Sequence, residues 1–165
     1  MRRRFLPALA ILGAFAAQPA LAQKHCPLAA DQATFEVQAL RSHLVVLATG
    51  CPQTELYKAF IQKYQPTLQA NAAAVAAWFK KRYGARGQVE HDKFVTELTN
   101  AMSSGATVLG GDFCPHDGAL FDEVMALRSG NELASYAAAK DLVPASVEIC
   151  PSQTTKPAPK PPVKR

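Results

Sequence analysis

The chain has 165 residues, 48% of them apolar and 19% charged, with a formal net charge of +5. That is one domain's length and a globular balance, and it excludes a disordered chain, a polytopic membrane protein and an array of long repeats. The positive charge is mostly peripheral: seven of the 18 Lys and Arg lie in the first four or the last ten residues, and residues 23–150 carry −2. A nucleic-acid-binding domain places its basic footprint on the folded part, so nucleic acid is not the expected partner.

Residues 1–22 read as an export signal. Arg2, Arg3 and Arg4 form the charged region, an apolar run extends from Ala8 to Ala17, and Pro19-Ala20-Leu21-Ala22 offers small residues for cleavage before Gln23. The run is too short to span a bilayer, so no integral membrane anchor is expected. Arg2-Arg3-Arg4-Phe5-Leu6 also fits the R-R-x-F-L core of a twin-arginine signal, without the flanking polar residue and lysine. Cys26 lies four residues past the cleavage point rather than at it, which disfavours lipid anchoring. The expected location is periplasmic or secreted.

Period-3.6 apolar spacing dominates the exported part. The first helix is predicted from an Asp31 cap to about Thr49, with Ala33, Val37, Leu40, Leu44 and Leu47 on one stripe and Gly50 as its stop. A second starts after Cys51-Pro52 through Leu56, Phe60 and Tyr64, is kinked or broken at Pro66, and resumes through Leu68, Val75, Phe79 and Tyr83 to Gly84. The third spans about Gln88 to Ser104, with His91, Phe94, Val95, Leu98 and Met102 inward and a glycine-rich connection over 105–111. The fourth starts at Cys114-Pro115 and carries Leu120, Phe121, Val124 and Leu127 to Gly130; the fifth is capped by Asn131 and runs from Glu132 to about Leu142. Val147 to Cys150 reads as a closing strap. Residues 151–165 hold five prolines and four cations and are expected to stay extended and solvated. The organisation is a signal peptide over 1–22, an all-α domain over 23–150 folded as an up-down bundle of four to five helices, and a disordered tail over 151–165.

Cys26, Cys51, Cys114 and Cys150 are an even set in an exported chain, so two disulfides are expected. No CxxC or CxxCH occurs, which argues against dithiol redox work, c-type haem and common zinc modules. Each cysteine precedes a proline; Cys-Pro can bind haem through a free thiolate, but Pro52 and Pro115 stand where helices are expected to start. Three pairings are open. Alternating helix directions favour Cys51–Cys114 with Cys26–Cys150, because Cys26–Cys51 would have to bridge a first helix about 27 Å long when disulfide Cα atoms lie within about 7 Å.

No HExxH, GxSxG, SxxK or GxxxxGK[ST] occurs, and no two histidines stand four apart. The densest polar cluster is Asp112, His116 and Asp117. Its carboxylates suit a cation and its histidine suits a base, although capping of the fourth helix explains the same residues. Lys80, Lys81, Arg82 and Arg86 form the chief candidate binding patch; their place at a helix C-terminus explains them electrostatically, and an anionic polymer explains them functionally. Trp78, Phe79 and Tyr83 beside them read as core.

Leu40-Arg41-Ser42-His43-Leu44, Tyr57-Lys58-Ala59-Phe60 through Tyr64-Gln65-Pro66, Phe79-Lys80-Lys81-Arg82-Tyr83-Gly84, Asp112-Phe113-Cys114 and Leu120-Phe121-Asp122-Glu123-Val124 together give a pattern. It resembles that of small exported four-cysteine helical proteins of uncharacterised function from Gram-negative bacteria. The resemblance implies a compartment and a helical fold and carries over no functional residue. The expected function is a non-catalytic periplasmic binding or accessory protein that contacts an envelope protein or an anionic cell-envelope polymer, with no cofactor. The alternative is a small metal- or haem-associated enzyme using Asp112, His116 and Asp117.

Overall fold

A computed structural model describes residues 29–147. The signal peptide, the Cys26–Cys150 pairing, the strap beyond Val147 and the tail lie outside the described residues. Within them the fold is all-α, with no strand. Helix α1 spans Ala29–Gly50, α2 Thr54–Tyr83, α3 Gly87–Leu109, α4 Phe113–Asp117, α5 Ala119–Ala126 and α6 Gly130–Lys140.

Helix α1 is the centre. Every residue from Phe35 to Leu40 is buried, and Ser42, Leu44, Val46, Leu47 and Ala48 continue the burial. A single apolar stripe would leave the opposite face in water; here α2, α3 and α6 all pack on α1, and α4 joins near its C-terminal end. Phe35 meets Trp78 and Phe79 near the end of α2 and Phe94 near the start of α3. Near the other end of α1, His43 meets Met102 near the end of α3. Helix α2 therefore runs back past α1, and α3 returns in the direction of α1.

Full burial brings Glu36 into the core at 2% exposure. Its Oε2 accepts from the backbone N–H groups of Leu142 (2.6 Å) and Val143 (3.2 Å), fastening the segment after α6 to α1. Burial raises the carboxyl pKa above its ordinary value, against the two N–H donors, and Asp141 adds to the rise.

Helix α2 passes Pro66 with a kink, and Tyr64 takes the non-helical dihedrals φ −108° and ψ 15°. Tyr64 Oη donates to the carbonyls of Val124 (2.6 Å) and Leu127 (3.2 Å). Lys63 Nζ reaches those of Met125 (2.5 Å) and Leu127 (2.7 Å). These carbonyls at and just beyond the end of α5 have no partner within their own helix, so α2 supplies their cap.

Several boundaries differ from the sequence reading. Asp31 lies inside the first turn of α1, where its Oδ2 accepts from Trp78 Nε1 at 3.2 Å, so it joins α2 to α1 rather than capping α1. Pro52 falls in the α1–α2 connection, not in α2. Helix α3 continues through Gly105, because one helical glycine costs only about 1 kcal/mol; it stops at Gly110, whose φ of 55° ends it. The predicted fourth helix is divided at Gly118 into α4 and α5. A Cβ on Gly118 would stand 2.6 Å from the Cys114 carbonyl oxygen, whose bond from Gly118 N is 2.9 Å. The cap of α6 is Ser129, not Asn131: Ser129 Oγ accepts from Glu132 N at 3.3 Å, and Glu132 Oε2 accepts from Arg128 N at 2.9 Å. This exchange resembles a capping box, and its Ser-x-x-Glu spacing is present in the sequence.

Candidate functional site

Two polar regions stand out, one near each end of α1. The first is the α2–α3 turn. Gly84, at φ 59°, ends α2 and returns its N–H to the Lys80 carbonyl. Gly87 opens α3 so close to α2 that a Cβ there would lie 2.7 Å from Lys80 Cα and 2.9 Å from Lys80 N. The turn is thus pinned against the backbone that carries the cations.

Lys80, Lys81, Arg82 and Arg86 are all exposed, and the structure brings them to this one turn. Their surroundings divide them. The Arg82 guanidinium lies 5.3 Å from the centre of the Trp78 ring, and Arg86 Nη2 bonds Glu90 Oε1 at 2.6 Å. Lys80 and Lys81 make no ion pair with any described residue. Beside Arg86, Val89 is an exposed apolar side chain at 67%. Beneath the turn, Phe79 is buried among Phe35 and Phe94, with Tyr83 stacked on it at 5.8 Å. Phe79 is therefore core, as the spacing predicted, and Trp78 and Tyr83 pack against that core.

The second region joins α1, α3 and α4 next to the Cys51–Cys114 disulfide, whose Cα atoms are 5.8 Å apart. This is the pairing favoured from helix directions. Asp117 accepts from two imidazoles: Oδ2 from His43 Nε2 at 2.9 Å and Oδ1 from His116 Nδ1 at 2.6 Å. A carboxylate offers only acceptors, so each facing nitrogen carries its proton. Asp117 and His43 are 14% and 16% exposed at their side chains and His116 is 67% exposed. His43 Nδ1 faces Met102 Sδ at 3.2 Å, with the Phe113 ring 6.2 Å away.

The cluster expected from sequence is only partly assembled here. His116 and Asp117 meet, but Asp112 is exposed in the turn before α4 and makes no side-chain hydrogen bond to the described residues. Neither Asp112 nor Asp117 caps α4; Asp117 is the last residue of α4 and binds histidines instead. His43, unremarkable in the sequence, takes the place intended for Asp112. Among the described residues, no group of three or more His, Cys, Asp and Glu side chains is placed to hold a metal ion. No described helix is long and apolar enough to cross a membrane.

Comparison with protein-family models, curated proteins and solved structures finds no match to this chain. The functional reading therefore rests on these two regions.

Proposed function

We propose that this chain is a non-catalytic periplasmic accessory protein, an up-down helical bundle that contacts an anionic cell-envelope polymer through its α2–α3 turn. The observation that carries this reading is the exposure of Lys80 and Lys81, without ion pairs to described residues, on a turn pinned by Gly87. A carboxylate beside a surface lysine offsets the field it presents to a partner; no described carboxylate pairs with these two, so their local field stays positive. Arg82 on Trp78 and Arg86 on Glu90 flank them, held in place by neighbours of their own. The lysines of the tail extend the same chemistry, and the second expected disulfide, Cys26–Cys150, would tether that tail to the domain.

The test is equilibrium binding of the native chain to purified lipopolysaccharide and to anionic phospholipid vesicles, at low and at physiological salt. We expect binding that weakens with salt and falls about tenfold or more in Lys80→Glu/Lys81→Glu. Equal binding by that variant and the wild type would remove the turn from the account, and a pull-down of envelope proteins would then test the protein-partner reading.

A further inference from the structure

Both ends of α3 expose apolar side chains, but the two ends differ in charge. At the start, Ala85 and Val89 are exposed, Val89 at 67%, and residues 80–89 hold four cations and no carboxylate. At the far end, Val108 is 87% exposed, followed by the partly exposed Leu109 and the exposed Asp112. Residues 94–127 hold no lysine or arginine, against the carboxylates Glu97, Asp112, Asp117, Asp122 and Glu123. The 22 steps from Gly87 to Leu109 separate the ends by about 33 Å, whereas charges are screened over about 8 Å at physiological salt. An anionic surface thus attracts the first end without feeling the second.

We propose that the turn meets its anionic partner at a lipid surface, with Lys80, Lys81, Arg82 and Arg86 on the phosphates of the headgroup layer and Ala85 and Val89 reaching below them. This rests on the polyanion reading above and narrows it, from the polymer as a whole to its phosphorylated lipid base. A polysaccharide chain is hydrated along its length and gives an exposed valine nothing to bury against. A membrane–water boundary offers phosphate to the cations and apolar depth to the valine at once. The two arginines suit phosphate, which their planar fork binds through paired donors. The nearest carboxylates along α3 are already occupied: Glu90 accepts from Arg86 at 2.6 Å and Asp92 from Gln88 Nε2 at 2.8 Å, so neither is drawn to Lys80 or Lys81. The start of α1 lies at this end as well, since Asp31 accepts from Trp78 at 3.2 Å. The bundle therefore approaches the surface by this end, with Val108 pointing away from it.

The experiment uses the full chain and two ligands: phosphatidylcholine vesicles carrying lipopolysaccharide, and the soluble polysaccharide released from that lipopolysaccharide by mild acid. Vesicle binding is read by co-sedimentation, and occupancy of the turn by the emission of Trp78, the single tryptophan of the chain, over whose ring Arg82 lies. Val89 and Val108 are exposed, so replacing either leaves the fold intact. We expect Val89→Ser to weaken vesicle binding by about fivefold and Val89→Leu to strengthen it by about twofold, from the apolar area each removes or adds. Both should leave binding to the soluble polysaccharide within about twofold of the wild type, and Val108→Ser should leave vesicle binding within the same margin. Equal vesicle binding by Val89→Ser and Val89→Leu overturns the proposal, as does a loss in Val108→Ser as large as that in Val89→Ser. If Lys80→Glu/Lys81→Glu weakens both ligands while the Val89 variants alter neither, the lipid surface falls and the basic-turn reading stands. If that lysine pair changes neither ligand, the basic-turn reading falls with it.

Discussion

The α2–α3 turn and the α1–α3–α4 junction are built on opposite principles. At the turn, the side chains of interest are neighbours in sequence and face water. The fold contributes a glycine contact that keeps their backbone in place. At the junction, His43, Met102 and Asp117 come from three helices and are separated by up to 74 residues. They meet because α3 and α4 both pack on α1. Asp31, which holds Trp78 beneath the turn, and His43 lie about 18 Å apart along α1, so the regions share a helix without sharing a contact. A surface site of the first kind tolerates change around it, whereas a core junction of the second kind depends on packing and on its disulfide.

The largest expected effect separates the two regions. Cys51→Ser/Cys114→Ser should destabilise the domain by about 2–4 kcal/mol, read as a lower midpoint in urea. It should loosen the His43–Asp117 contact first, while polyanion binding per folded molecule persists. Loss of both properties together would show that the turn is not independent of the junction.

Next in size is Gly87→Ala. Its Cβ would press on Lys80 Cα, and displacing that backbone should cost about 1–3 kcal/mol. Since the same movement shifts Lys80 and Lys81, polyanion affinity should fall as well, while His43 resonances stay unchanged.

Glu36 supplies a pH signature belonging to the core. Its folded pKa is raised, so the folded state holds this proton to higher pH than the unfolded chain does. The contribution is therefore fully present below the ordinary value of 4.5 and is lost as pH rises through the raised value. Glu36→Gln removes this slope while keeping an acceptor for Leu142 and Val143. Denaturant unfolding between about pH 4 and pH 8 should show the stability of the wild type relative to Glu36→Gln declining as pH rises. A difference independent of pH would refute the raised pKa.

The smallest stability effect belongs to Lys80→Gln/Lys81→Gln. With no ion pair to lose among the described residues, it should stay within about 0.5 kcal/mol of the wild type.

What the sequence made legible follows the same division. The helices over Leu44, Phe60, Phe94, Phe121 and Leu133 were readable from apolar spacing, and the basic run at 80–86 from its composition. The Cys51–Cys114 bond followed from helix direction. His43 was not legible as a site residue, because a lone histidine gains meaning only from Asp117 and Met102 across the fold. Nor was the buried Glu36: a carboxylate on a helix normally marks the wet face, and only packing on every side of α1 reverses that. The division at Gly118 and the passage of α3 through Gly105 show two glycines with opposite outcomes. At Gly118 a side chain would collide with the Cys114 carbonyl, whereas at Gly105 the space is open.

The most direct test of the binding account is a comparison at constant net charge. Lys80→Glu/Lys81→Glu and Lys58→Glu/Arg128→Glu change the charge of the chain equally, and Lys58, near the start of α2, and Arg128, just past α5 where it meets α2 at Lys63, are exposed cations away from the turn. Affinity for lipopolysaccharide is measured for both pairs at the same salt. The account predicts about tenfold or greater loss for the Lys80/Lys81 pair and less than about threefold for the other. Equal losses would show that overall charge, rather than the pinned turn, drives association, and would contradict it.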